Sequence, residues 1–182
     1  MRIIGGRLKG RRFYPPADKW PTRPTTDFAK EALFNVLHNR YDLAEIRFLD
    51  LFGGTGSHCF EMISRGCCDA TYVDKFGPCV RFVGELAREL DVTDCLKIHR
   101  ADVFRFIRQT EQEWDYIFAG PPYALAEIPL LPDLVFQNDV VRKGGLFILE
   151  HNHRVDMQSH PRFQELRTYG QCHFSFFKNA GE

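Results

Sequence analysis

The 182-residue chain has no Cys-x-x-Cys pair, no apolar run near the length of a membrane helix, no low-complexity tract and no internal repeat. Each absence removes a class of protein. Roughly 20 consecutive apolar residues are needed to span a bilayer, and none of the runs approaches that. The N-terminus, Met1-Arg2-Ile3-Ile4-Gly5-Gly6, carries no apolar signal region. The six cysteines (Cys59, Cys67, Cys68, Cys79, Cys95 and Cys172) lie mostly within predicted strands and helices, without a framework spacing. They are expected to be reduced, small, buried side chains of a cytosolic protein. The seven histidines form no ligand pattern with them, so no metal site is expected. No linker marks a second domain. The expectation is one domain over residues 1–182, with an extension at 1–24 and a core at 25–182.

Net charge is formally zero, and the zero conceals an asymmetry. Residues 1–24 hold Arg2, Arg7, Lys9, Arg11, Arg12, Lys19 and Arg23 against Asp18 alone, while the remainder carries 17 basic and 23 acidic residues. A basic terminal segment on a mildly acidic body points to a polyanion, with a solvated, solubilising tail as the alternative.

What the chain does contain is a steady alternation. Apolar, β-branched or aromatic runs recur at Phe48–Phe52, Ala70–Asp74, Cys95–His99, Tyr116–Ala119 and Gly145–Glu150. Segments of helical period lie between them. Over 77–90, for example, Cys79, Val80, Val83, Leu86, Ala87 and Leu90 share one face. This alternation predicts βαβ units and a parallel sheet buried on both faces. Phe163–Tyr169 and Cys172–Lys178 are separated only by Gly170-Gln171, too short for a crossover, and predict a terminal antiparallel hairpin. Ahead of the sheet, Ile3–Gly6 and Arg11–Tyr14 predict a small β-ribbon around Gly10. A helix capped by Thr25 or Thr26 should follow, with a stripe of Phe28, Ala32, Leu33, Val36 and Leu37.

Four features at strand ends carry chemistry. The strand through Asp50 and Phe52 runs into Gly53-Gly54-Thr55-Gly56 and a helix, a loop whose backbone can approach a ligand closely. Counted from Gly54, the third glycine position of a dinucleotide fingerprint holds Cys59, which disfavours a nicotinamide-dependent oxidoreductase. Asp50 disfavours it further: a carboxylate there repels a pyrophosphate and suits the ammonium of S-adenosylmethionine. Asp74, 18 residues after Gly56, is placed to accept from ribose hydroxyls, with Lys75 beside it. Asp102, before Val103, is placed to accept from an adenine amine; a helix cap is the plainer reading. The fourth strand ends in Gly120-Pro121-Pro122-Tyr123, a rigid turn with free carbonyls beside a stacking ring, suited to a planar base bearing an amine.

With these motifs in place, the chain resembles a known family over nearly its whole length. Arg2-Ile3-Ile4-Gly5-Gly6, Lys9-Gly10-Arg11, Arg23-Pro24-Thr25-Thr26-Asp27, Leu33-Phe34-Asn35, Leu49 to Gly56, Ser64-Arg65-Gly66 and Pro121-Pro122-Tyr123 are similar to the bacterial 16S ribosomal RNA guanine-N2 methyltransferases. The resemblance implies a Rossmann-like, S-adenosylmethionine-dependent α/β fold: a mostly parallel sheet ending in an antiparallel hairpin, with a small N-terminal β-ribbon and helix. It implies S-adenosylmethionine as cofactor and small-subunit ribosomal RNA, free or in an assembly particle, as partner of a monomeric cytoplasmic enzyme. Cofactor roles fall on Arg23, Thr25, Thr26, Asp50, Phe52, Gly53, Gly54, Thr55, Gly56, Asp74, Lys75, Asp102 and Val103. Gly120, Pro121, Pro122 and Tyr123 would form the catalytic turn, and Arg7, Lys9, Arg11 and Arg12 would hold RNA phosphates. The family signature opens with Asp, Asn or Ser where this chain has Gly120, so an acceptor for the target amine is missing. A binding homologue without turnover and a DNA amino-methyltransferase are the rival readings; the chain leaves little room for a separate DNA-recognition domain.

Overall fold

Seven strands form one sheet in the order β3-β2-β1-β4-β5-β7-β6 in the structure, a computed structural model that describes residues 1–16, 20 and 25–180. The strands are β1 (Arg47–Leu51), β2 (Asp69–Asp74), β3 (Leu96–Arg100), β4 (Trp114–Ala119), β5 (Val141–His151), β6 (Phe163–Tyr169) and β7 (Cys172–Lys178). The first five pair in parallel, and β7 runs antiparallel to both β5 and β6. The mostly parallel sheet and its terminal hairpin thus match expectation. Among the described residues, α1 (Asp27–Arg40) precedes the sheet, and α2 (Ser57–Ser64), α3 (Gly77–Glu89), α4 (Val103–Gln109) and α5 (Leu131–Gln137) connect β1 through β5 in turn.

Two apolar cores, one on each face, explain the unbroken hydrophobic strands. Phe48, Tyr72, Tyr116, Phe118 and Ile148 face α1, α2 and α3. Leu49, Leu51, Val73, Ile117, Phe147 and Leu149 face α4 and α5. Alternate residues along one strand feed opposite cores, as the two-residue repeat of a strand requires.

Three expectations are corrected. The N-terminal ribbon is shorter and shifted: among the described residues it is a single antiparallel bridge, Arg2 to Arg12, flanked by bonds from Ile3 N to Arg11 O and Phe13 N to Met1 O. The N–H groups of Ile4 and Gly5 leave the ribbon because the Glu61 carboxylate takes both, at 2.9 and 2.8 Å. The segment is docked on the core, with Ile3 and Phe13 buried in it.

The buried face of α1 is Ala29, Lys30, Leu33, Phe34 and Leu37, while Phe28 is exposed and Ala32 and Val36 are half-buried. A buried lysine rotated the true stripe out of view. Lys30 Nζ donates to Arg2 O at 2.6 Å and Ser57 Oγ at 3.0 Å and sits 3.7 Å from Glu61, and burial pulls its pKa down. The cap itself is as expected: Thr26 Oγ1 accepts from Ala29 N.

The cysteines are not all reduced. Cys68 and Cys95 form a disulfide, and Cys59, Cys67, Cys79 and Cys172 are buried and outside any disulfide among the described residues. The two partners directly precede β2 and β3, and the register that pairs Ala70 with Leu96 brings their Cα atoms to 4.2 Å. Cysteine spacing along the chain carries no trace of a pairing made by sheet register.

Candidate active site

The carboxyl ends of β1, β2, β3, β4 and β5 open on a cavity of about 530 Å³. It lies at the strand tips where connections to β2 and to β4 leave opposite sides of β1, the crevice in which open α/β sheets bind ligands. Of the residues singled out from sequence, Thr25, Asp50, Phe52, Gly53, Gly54, Thr55, Asp74, Lys75, Asp102, Val103 and all four of Gly120–Tyr123 line it.

The glycine loop is held in shape by its neighbours. Phe52 and Gly54 have positive φ, 58° and 51°, and Gly56 adopts the left-handed conformation as it starts α2. Tyr72 Oη donates to Gly54 O at 2.7 Å, and the Tyr72 ring lies so close to Gly53 that a Cβ there would come within 2.4 Å of it. Asp74 fastens the same loop: its Oδ2 accepts from Gly54 N at 2.9 Å and its Oδ1 from Phe76 N at 2.8 Å. Asp102 caps α4 by accepting from Arg105 N, and lies 4.0 Å from Lys75 Nζ. Both readings of Asp102 are therefore open at one residue, since a capping carboxylate retains acceptor directions.

Asp50 is the unusual group. It is 1% exposed, and Oδ2 is buried with no hydrogen-bond partner among the described residues. Burial raises its pKa to about 7, against bonds from the Cys59 thiol and N–H that lower it; nearby Asp74 raises it further. A buried carboxylate oxygen facing a cavity without a partner is a site for a cation or a strong donor. The orphaned oxygen, the close backbone of the glycine loop and the acid at Asp74 fit an amino-acid ammonium joined to a nucleoside.

Thr26 and Gly56 do not line the cavity: one caps α1 and the other starts α2. Arg23 lies outside the described residues. Arg7, Lys9, Arg11 and Arg12 are exposed and away from the cavity lining.

Eight lining residues were not singled out from sequence, and two of them, His58 and Glu150, are buried polar groups. His58 is stacked on Phe118 at 3.9 Å with its Nε2 2.9 Å from Tyr116 Oη; burial, with Lys30 and Arg65 nearby, holds its pKa well below the usual value. It is a neutral part of the wall. Glu150, at the end of β5, is 5% exposed and accepts from Tyr123 Oη at 2.8 Å and from Thr25 Oγ1 at 2.5 Å. An acid at a strand's carboxyl end was the available signal, the same one that marked Asp50 and Asp74. Burial and Glu150 together raise the Tyr123 phenol pKa.

The sheet order, the loop and the acid-tipped strands define a Rossmann-like methyltransferase fold. The chain belongs to the family described as "Conserved hypothetical protein 95", whose model matches residues 1–178. A Bacillus subtilis protein named "Putative rRNA methyltransferase YlbH" is 29% identical over 187 residues, covering 100% of both chains. An Escherichia coli protein named "Ribosomal RNA small subunit methyltransferase D" is 28% identical over 150 residues, covering 82% of this chain and 74% of that one. Among solved structures, a hypothetical protein from Thermus thermophilus superposes with a TM-score of 0.84 at 28% identity, covering 97% of this chain and 98% of the other.

Proposed function

We propose that this protein transfers a methyl group from S-adenosylmethionine to the exocyclic N2 amine of one guanine in 16S ribosomal RNA. The observation that carries the reading is the buried Asp50 oxygen, without a hydrogen-bond partner among the described residues, in the same cavity as Gly120-Pro121-Pro122-Tyr123. A cation grip and a base-holding turn share one space. The names of the relatives support ribosomal RNA as the substrate class.

When bound, S-adenosylmethionine supplies an electrophilic methyl group on sulfur. Asp50 would hold the ammonium, Asp74 the ribose, and Asp102 with Val103 the adenine edge. Tyr123 would stack the extruded guanine, a contact worth about 1–3 kcal/mol per base. The carbonyls of Gly120 and Pro121 would accept from the amine and fix its direction. A neutral amine needs no base before attack, so positioning supplies most of the acceleration. Arg7, Lys9, Arg11 and Arg12 would hold the RNA backbone from the exposed N-terminal segment.

Mass spectrometry of 16S ribosomal RNA from cells with and without this protein tests the reading. One N2-methylguanosine is expected to disappear with the gene; an unchanged nucleoside profile refutes it.

A further inference from the structure

Helical periodicity predicts Phe28 in the buried stripe of α1, and the structure leaves it 68% exposed. It stands in the first turn of α1, just beyond Thr25, which lines the cavity and donates to Glu150. Tyr169 meets it edge to face, with ring centroids 6.1 Å apart and planes at 83°. Tyr169 ends β6 and pairs with Cys172, while His173 pairs with His151 at the end of β5. The tip of the terminal hairpin therefore sits at the sheet edge on which the cavity opens. Tyr169 is itself braced, its ring tilted against that of buried Phe174 at 6.0 Å. Basic groups flank the two rings. Arg2 Nε is 3.3 Å from Asp27, the residue before Phe28, and Arg12 forms the antiparallel bridge with Arg2. Side chains directly opposite each other in an antiparallel pair share a face, so Arg12 stands beside Arg2.

A single exposed apolar side chain is common and by itself means little. This one is set apart by its place at the mouth of the cavity, by the second ring that fixes it, and by the arginines of the neighbouring ribbon. We infer that Phe28 is a stacking platform for the nucleotide next to the target guanine, and that this neighbour must be unpaired. The inference rests on the methyltransferase reading and adds the form of RNA that the site accepts. Extruding a base leaves the face of its neighbour unstacked, and an aromatic ring at the cavity mouth covers such a face. A phenyl ring has no donor or acceptor, so it stacks on any base and selects none. A base inside a duplex has both faces taken, so the platform admits a loop or bulge and turns away a continuous helix. Arg2 and Arg12 outnumber Asp27 there, and the surplus positive charge complements the phosphates on either side of the stacked base.

A double-mutant cycle between protein and RNA tests this, with the full chain saturated with S-adenosylhomocysteine at low salt. The probes are single-stranded RNA hexamers with a central guanine, one intact and one with abasic nucleotides on both sides of that guanine. Wild type is expected to bind the intact hexamer about tenfold more tightly than the abasic one. Phe28→Ala should bind the intact hexamer about tenfold more weakly than wild type and show no preference between the two. Phe28→Trp should keep both the affinity and the preference. Affinity for S-adenosylhomocysteine, Tm and the slope of log K against log salt should be the same in all three proteins. A wild type that binds neither hexamer or ignores the abasic change, a Phe28→Ala variant that keeps the preference, a variant that loses cofactor affinity and Tm in parallel, or a wild-type dimer that Phe28→Ala dissociates each overturns the inference. Methyl transfer to unmethylated 16S ribosomal RNA is measured alongside. If wild type transfers no methyl group yet couples Phe28 to the neighbouring base, the methyltransferase reading falls and the platform stands. If transfer occurs without that coupling, the platform alone falls.

Discussion

Burial favours the protonated form of Asp50 in a pH range where a solvated aspartate is ionised. Its pKa is raised from 3.8 to about 7 by burial, so between those values the folded protein binds a proton that the unfolded chain does not. Stability from this group is therefore greatest below about pH 4, falls as pH rises to about 7, and is level above that. A bound ammonium favours the ionised form, so S-adenosylmethionine should bind more tightly as pH rises through 7, with release of a proton. Asp50→Asn removes both effects. At pH 8 it should raise the unfolding free energy read from urea denaturation by an amount on the order of a few kcal/mol, and lower S-adenosylmethionine affinity at least 100-fold by calorimetry. An unchanged affinity would show that the buried acid has no part in ligand binding. Residues of this kind are legible in sequence as acids ending apolar strands. Glu150 follows the same rule, but its contact with Tyr123 is made by the β4–β5 register and has no trace in the linear sequence.

At the scale of elements, α2 links the two ends of the molecule's business. Its first turn follows Gly56 of the glycine loop, and its later turns supply Glu61 and Ser64, which accept from the N–H groups of Ile4, Gly5, Arg7 and Leu8. Glu61 also pairs with buried Lys30 and with Arg65. Removing one member of a buried pair leaves the other charge uncompensated, at about 3–5 kcal/mol. Glu61→Ala should lose that much in urea denaturation, and the amides of Ile4 and Gly5 should exchange far faster. A loss under about 1 kcal/mol would mean that the network is dispensable. The strands were readable in advance because burial on both faces leaves near-continuous apolar runs. Helix α1 was misread because its buried face contains a lysine whose three partners come from elsewhere in the chain, and periodicity counts only apolar residues. The Cys68–Cys95 bond was hidden for a related reason: strand register, and not cysteine spacing, brings the pair together.

For the whole molecule, charge is segregated while its sum is zero. Residues 1–14 cannot be deleted without stripping Ile3 and Phe13 from the core, so the proposed RNA contact is better tested by substitution. Replacing Arg7, Lys9, Arg11 and Arg12 together with alanine should weaken RNA binding at least tenfold at low salt and flatten the dependence of log K on log salt. Cofactor affinity and Tm should not move. An unaltered salt slope would place the RNA contact on another surface.

The strand order has one more consequence. Asp50 and Asp74 stand on β1 and β2, whereas Gly120 directly follows β4 and Glu150 stands on β5, so the proposed donor grip and the proposed base-holding turn occupy opposite halves of the sheet. Retargeting to another nucleobase could then be attempted by redesigning two strand tips alone, with the methyl supply inherited unchanged.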